Sequence, residues 1–166
     1  MHPVRLALVI VMTAVLQMAL NNLLDFSFRP DFPVILLVFL ATMTDGSWPI
    51  ICAFAVGFAT DLISLPVGPH TIAFGICGSF LALSRRSMTF GNPILIALAI
   101  FVFGCVGGAF AQVLISFRQP VPPGAYLDIL WASLASAVIG PYIYSILSAI
   151  SGFLGIHQGR QGRRGT

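Results

Sequence analysis

The sequence predicts an all-α polytopic membrane protein, a compact bundle of about six transmembrane helices. Three observations lead there. Of 166 residues, 58% are hydrophobic and 8% charged, whereas a soluble domain carries about 25% charged residues and needs them to cover its surface. The mean hydropathy is +0.99. The apolar residues also fall into successive runs separated by Pro, Gly, Asn and Asp, as helices crossing a bilayer of about 20 residues per span require. A secreted globule, a disordered chain and a nucleic-acid-binding domain are excluded by this composition. There is no Lys and no Glu; the ionic groups are eight Arg, five Asp and three His.

The first run covers residues 6–20 behind Arg5 and ends near Leu24. No small-x-small cleavage site follows it, so it is read as a retained span. The second covers residues 32–43, with Asp31 as N-cap and Pro33 in the first turn. Asp45, Gly46 and Ser47 turn the chain into a third helix, opened by Trp48-Pro49 and reaching about Leu65. Pro66, Gly68 and Pro69 break it. A fourth helix runs from about Thr71 to Leu83 and closes on Arg85-Arg86, cations suited to a helix C-terminus. Asn92-Pro93 starts a fifth, to about Phe117. The Pro-rich stretch 119–124 is a loop, and the sixth helix extends from near Asp128 to about Leu154. A single bundle, residues 1–154, is thus followed by a basic tail, residues 155–166.

The second helix is short, since 12 to 16 residues rise only about 18–24 Å against roughly 30 Å of hydrocarbon. Helices two to four therefore tilt, thin the bilayer, or pack partly as a re-entrant hairpin, and the sequence admits each.

Arginine placement gives the orientation. With both termini cytoplasmic, Arg5, Arg85, Arg86, Arg160, Arg163 and Arg164 lie inside and only Arg29 and Arg118 outside, in accord with the positive-inside rule. Arg85, Arg86 and the tail arginines then mark topology and touch anionic lipid. The same arrangement puts Asp25, Asp31, Asp61 and Asp128 toward the outer face and Asp45 inside. Tyr126 and Trp131 fall in an outer aromatic belt, Trp48 in an inner one.

Asp61 is the one ionisable residue within a predicted span. Such residues mark function by default because a charge at the bilayer centre costs about 2.5–3.5 kcal/mol on insertion scales. Its place near the helix end favours a structural tie to the following turn over a ligand or proton role. His70 is a possible partner across that turn, with a solvated loop histidine the plainer reading. Small-xxx-small pairs occur at Ala53/Gly57, Gly104/Gly108, Ala132/Ser136 and Ser148/Gly152. Each serves packing within the bundle or, for Gly104 and Gly108, docking of a partner's helix. Gln17, Asn21, Asn22 and Gln112 read as too few to line a solute pathway. Cys52, Cys77 and Cys105 sit in apolar runs as packing residues. No metal-ligand spacing, cofactor motif or nucleophile elbow is present. Paired aspartates of an intramembrane peptidase lack the flanking motifs of that class, so an enzyme is not expected.

The block from Arg29 to Arg86 resembles the rod shape-determining protein MreD family. Pro30-Asp31 precedes the aliphatic helix Val34-Ile35-Leu36-Leu37-Val38-Phe39-Leu40. A turn at Asp45-Gly46 follows, then a helix closing on Gly57-Phe58-Ala59-Thr60-Asp61-Leu62, then Pro66-Val67-Gly68 and a helix ended by Arg85-Arg86. The resemblance implies a non-catalytic subunit of the peptidoglycan elongation (rod) complex in the bacterial cytoplasmic membrane. It implies MreC as direct partner, and MreB, RodA and a penicillin-binding transpeptidase as indirect ones. It implies a fold similar to the substrate-binding subunits of energy-coupling-factor transporters, with Asp31, Gly57, Asp61 and Gly68 as candidate structural or functional residues. Arg29 and Arg118 are then candidate outer-loop contacts. A small-solute, vitamin-type binding subunit is the alternative.

Overall fold

A computed structural model describes residues 3–23, 29–44, 46–63, 68–84 and 92–152. Among them are six helices: α1 Pro3–Leu23, α2 Phe32–Met43, α3 Trp48–Ile63, α4 Pro69–Ser84, α5 Pro93–Ser116 and α6 Ala125–Ile150. The chain is a helical membrane protein. α1, α5 and α6 are long and apolar enough to cross a bilayer, with 21, 24 and 26 residues. The other three have 12, 16 and 16. Arg85, Arg86, Arg160, Arg163, Arg164, Asp25 and Asp45 lie outside the described residues.

α2 is the core of the molecule. Residues 33–41 are all buried, and α1, α3, α4, α5 and α6 all pack against it. A helix apolar on every side is stable only when surrounded, and Val34, Ile35, Leu37, Val38, Phe39 and Leu40 are covered on every side. By contrast α1, α5 and α6 expose Leu8, Val15, Val106 and Ile146 at 53–62%, as lipid-facing helices do. The expected second span is therefore an enclosed helix of about 18 Å.

The start of α2 is fixed by tertiary hydrogen bonds. The Asp31 backbone N–H donates to Ser136 Oγ at 2.6 Å. Ser136 is eleven residues into α6, about 16 Å along that helix. The Phe32 N–H donates to Gln17 Oε1 of α1 at 3.0 Å. α2 thus begins inside the bundle because its first donors find acceptors there. At the other end, Thr42 Oγ1 meets the Tyr144 hydroxyl at 3.0 Å and the Phe39 and Tyr144 rings pack edge to face at 5.5 Å.

α3 and α4 form a close antiparallel hairpin. A Cβ on Gly57 would stand 2.6 Å from the His70 carbonyl oxygen and 2.7 Å from Thr71 Cα, and a Cβ on Gly78 would collide with Ala53 Cβ. Small residues at these points let the two backbones approach. α5 and α6 are joined likewise: Gly104 faces Ser133 and Gly108 faces Ile129. Gly104 and Gly108, expected as partner-helix packing positions, are occupied by α6 and offer no free seat.

Truncating Phe39 to Ala removes on the order of 100 Å³, which at about 24 cal/mol per Å³ costs roughly 2 kcal/mol from the cavity alone. Val106→Ala, on the exposed side of α5, stays within about 0.5 kcal/mol of wild type. Denaturant titration in detergent micelles measures both.

Candidate functional site

The polar chemistry gathers at the end of the bundle where α1 and α5 finish and α4 and α6 begin. It starts with how helices begin in an apolar surrounding. The first turn of any helix has amide donors without intrahelical acceptors, and hydrocarbon supplies none.

At α2 each donor is accounted for. Phe32 N–H goes to Gln17, Pro33 has no N–H, Val34 N–H goes to Asp31 Oδ1 at 3.4 Å, and Ile35 N–H to the Asp31 carbonyl at 3.3 Å. The predicted cap at Asp31 is present. α5 repeats the device with Asn92, whose Oδ1 accepts from Ile94 N–H at 3.0 Å beside Pro93.

At α4 the residue in the cap position is Gly68, which has no side chain to offer. Its φ of +121° is a region reserved in practice for glycine. The missing acceptor comes from the preceding helix. Asp61 Oδ1 accepts from His70 N–H at 3.0 Å and Oδ2 from Thr71 N–H at 2.7 Å and Thr71 Oγ1 at 2.5 Å. His70 Nδ1 lies 3.0 Å from Oδ1. An ionised carboxylate only accepts, so in this contact Nδ1 carries the proton. Asp61 is fully buried and each of its oxygens takes two hydrogen bonds. It is a cap supplied from a neighbouring helix, as the structural reading of this residue expects. His70 is correspondingly not a solvated loop residue: it is the second residue of α4, held on Asp61 and edge-on to Phe74 at 5.9 Å. Gly57 sets this geometry, because only a bare α carbon lets the His70–Thr71 backbone come within reach of Asp61.

Above the start of α2 lies a cleft of about 360 Å³, walled by Gln17, Asn21, Arg29, Asp31, Asp128, Ile129 and Ala132. A smaller cavity of about 120 Å³ shares Asp31, Ile129 and Ala132 with it and adds His70, Gly104, Gly108, Gln112 and Ser133. By count, Gln17, Asn21, Asn22 and Gln112 are too few to line a pathway, and Asn22 walls neither cavity. Three of the protein's few polar side chains are instead brought to adjoining cavities, with two aspartates and an arginine beside them. Gln17 and Asn21 stand one helical turn apart on α1, and Gln17 Nε2 donates to Asn21 Oδ1 at 3.3 Å. That spacing was the available signal; the meeting with Asp31 and Asp128 is tertiary. Arg29 lines the cleft and donates from Nη1 to the Asn21 carbonyl at 3.4 Å, whereas Arg118 is exposed just past α5. Asp61 walls neither of these two cavities.

Among the described residues no group of three or more His, Cys, Asp or Glu is placed to hold a metal ion. Comparison with family models, with curated proteins and with solved structures returns no match.

Asp61→Ala leaves His70 and Thr71 amides without acceptors, at about 1–3 kcal/mol each, and should cost several times the loss from Asp61→Asn, which retains one carbonyl oxygen. Gly57→Ala should match Asp61→Ala, because it pushes the same amides out of reach. Thermal unfolding midpoints in detergent order the three variants.

Proposed function

We propose that this chain is a non-catalytic scaffold subunit of the bacterial cell-wall elongation (rod) complex, an MreD-type protein that binds MreC. Through MreC it stands beside MreB, RodA and a penicillin-binding transpeptidase. The observation that carries the reading is the commitment of Asp61. The one carboxylate within α3 spends four hydrogen bonds on the start of α4, so its chemistry is architectural.

The other residues behind the resemblance have similar tasks. Asp31 caps α2, Gly57 closes α3 on α4, and Gly68 makes the turn between them. A protein built this way works through its surface. The exposed apolar faces of α1, α3, α4, α5 and α6 and the segment around Arg118 are surfaces available to a neighbour. In this reading all six helices lie in the cytoplasmic membrane, in an arrangement like that of the substrate-binding subunits of energy-coupling-factor transporters. Both termini are cytoplasmic, and Arg85, Arg86, Arg160, Arg163 and Arg164 lie against anionic lipid. Arg29 and Arg118 then face the periplasmic base of MreC.

Photo-crosslinking from Leu8, Val15, Arg29 and Arg118 in cells should give an MreC adduct from at least one position, and Gly104, covered by Ser133, should give none. Depletion should round rod-shaped cells. Absence of MreC adducts at every exposed position, with rods retained on depletion, overturns the proposal.

A further inference from the structure

The smaller cavity, of about 120 Å³, lies between the start of α2 and helices α4, α5 and α6. Its walls hold polar groups that the fold leaves unused. Ser133 of α6 is 3% exposed and has no hydrogen-bond partner among the described residues. Every fully sealed side-chain nitrogen or oxygen among them has one, so the Ser133 hydroxyl opens onto this cavity. Gln112 of α5 walls it too, and its amide is likewise without a partner among the described residues. Asp31 supplies the one carboxylate of these walls, and that carboxylate keeps a single long bond, to Val34 N–H at 3.4 Å. His70 reaches the cavity from α4 but already rests on Asp61 at 3.0 Å.

The three remaining groups share one need, a donor. A carboxylate only accepts, and the hydroxyl and the amide oxygen accept as well. A charged side chain within a membrane protein is paired or faces a polar cavity; water filling the space would serve the hydroxyl and the amide but bring no charge opposite to that of Asp31. Ca²⁺ and Mg²⁺ take about six to eight oxygen ligands, whereas three oxygen-bearing side chains wall this cavity. A primary ammonium brings one positive charge and three N–H donors, one each for Asp31, Gln112 and Ser133. Phe74, Ala111 and Ile129 complete the wall with apolar surface suited to the carbons beside the nitrogen. Arg29 and Asp128 wall only the outer cleft, so neither enters the site.

We infer that the cavity walled by Asp31, Gln112 and Ser133 binds the primary ammonium group of a small amine, with the rest of that molecule lying toward the adjoining cleft. The inference goes beyond the adaptor reading and stands independently of it. Two sources carry this chemistry, an aminophospholipid headgroup from the bilayer and a free amine from water.

The test uses the full chain in phosphatidylcholine nanodiscs, whose trimethylammonium headgroups have no N–H to donate. In one arm the discs are doped with phosphatidylethanolamine, and native mass spectrometry reads the lipid retained on the protein. In the other they are titrated by calorimetry with n-propylammonium chloride, with tetramethylammonium chloride as the control lacking N–H groups. Wild type should retain phosphatidylethanolamine at least about tenfold over phosphatidylcholine, which assigns a lipid, or bind n-propylammonium saturably and tetramethylammonium not at all, which assigns a solute. Asp31→Asn and Ser133→Ala should each weaken that binding about tenfold, the loss of one hydrogen bond to a charged group. Asn caps a helix as well as Asp does, and the Ser133 hydroxyl bonds nothing among the described residues, so both variants should keep the wild-type unfolding midpoint. Asp128→Asn, in the outer cleft, should bind as wild type does. Binding in neither arm, equal binding of tetramethylammonium, binding unchanged in either Asp31→Asn or Ser133→Ala, or a loss on Asp128→Asn equal to that on Asp31→Asn overturns the inference.

Discussion

The rule that a backbone amide in hydrocarbon must find its acceptor inside the protein governs this molecule. Two of its helices start where water does not serve them, and both solve the problem alike. A proline removes one donor, at Pro33 in α2 and Pro69 in α4, and an aspartate accepts from the next ones. In α2 the aspartate is local. In α4 it arrives from α3, which ties the end of one helix to the start of the next. The α3–α4 hairpin, its glycine contact at Gly57 and the turn at Gly68 are all consequences of that arrangement.

The cleft follows from the same economy. α2 rises about 18 Å beside α1, α5 and α6, which rise about 32–39 Å, and its start is fastened to α1 and α6 well below their ends. A short helix set within long ones leaves an unfilled column above it. The polar side chains of α1 and α6 that border this column, Gln17, Asn21 and Asp128, lie where a full-length helix would have covered them.

The sequence announced the parts of this fold that are local. Asp31 followed two residues on by proline, and Asn92 followed at once by one, are helix starts legible from adjacent residues, and α2 lies over the expected residues 32–43. Apolar runs located α1, α5 and α6. What escaped depends on distant partners. The depth of α2 rests on Ser136, 105 residues away. The role of Asp61 as a tie was foreseen, but Thr71, its second partner, carried no local sign. Gly104 and Gly108 announced close packing without saying against what, and the answer is α6. The uniform apolarity of α2 was itself a sign of enclosure, one that hydrocarbon exposure mimics in any hydrophobic segment.

The bond between the Asp31 amide and Ser136 also bears on how the protein is made. When the segment of α2 leaves the ribosome, its acceptor on α6 does not yet exist. At about 5–20 residues per second, the wait is roughly 5–20 s. Over that interval the insertion machinery, or lipid crowded around a half-built protein, must hold a strongly apolar segment too short to cross the membrane comfortably. Assembly is therefore completed from the last helix backwards, and the earliest-buried element in space is among the latest to settle in time.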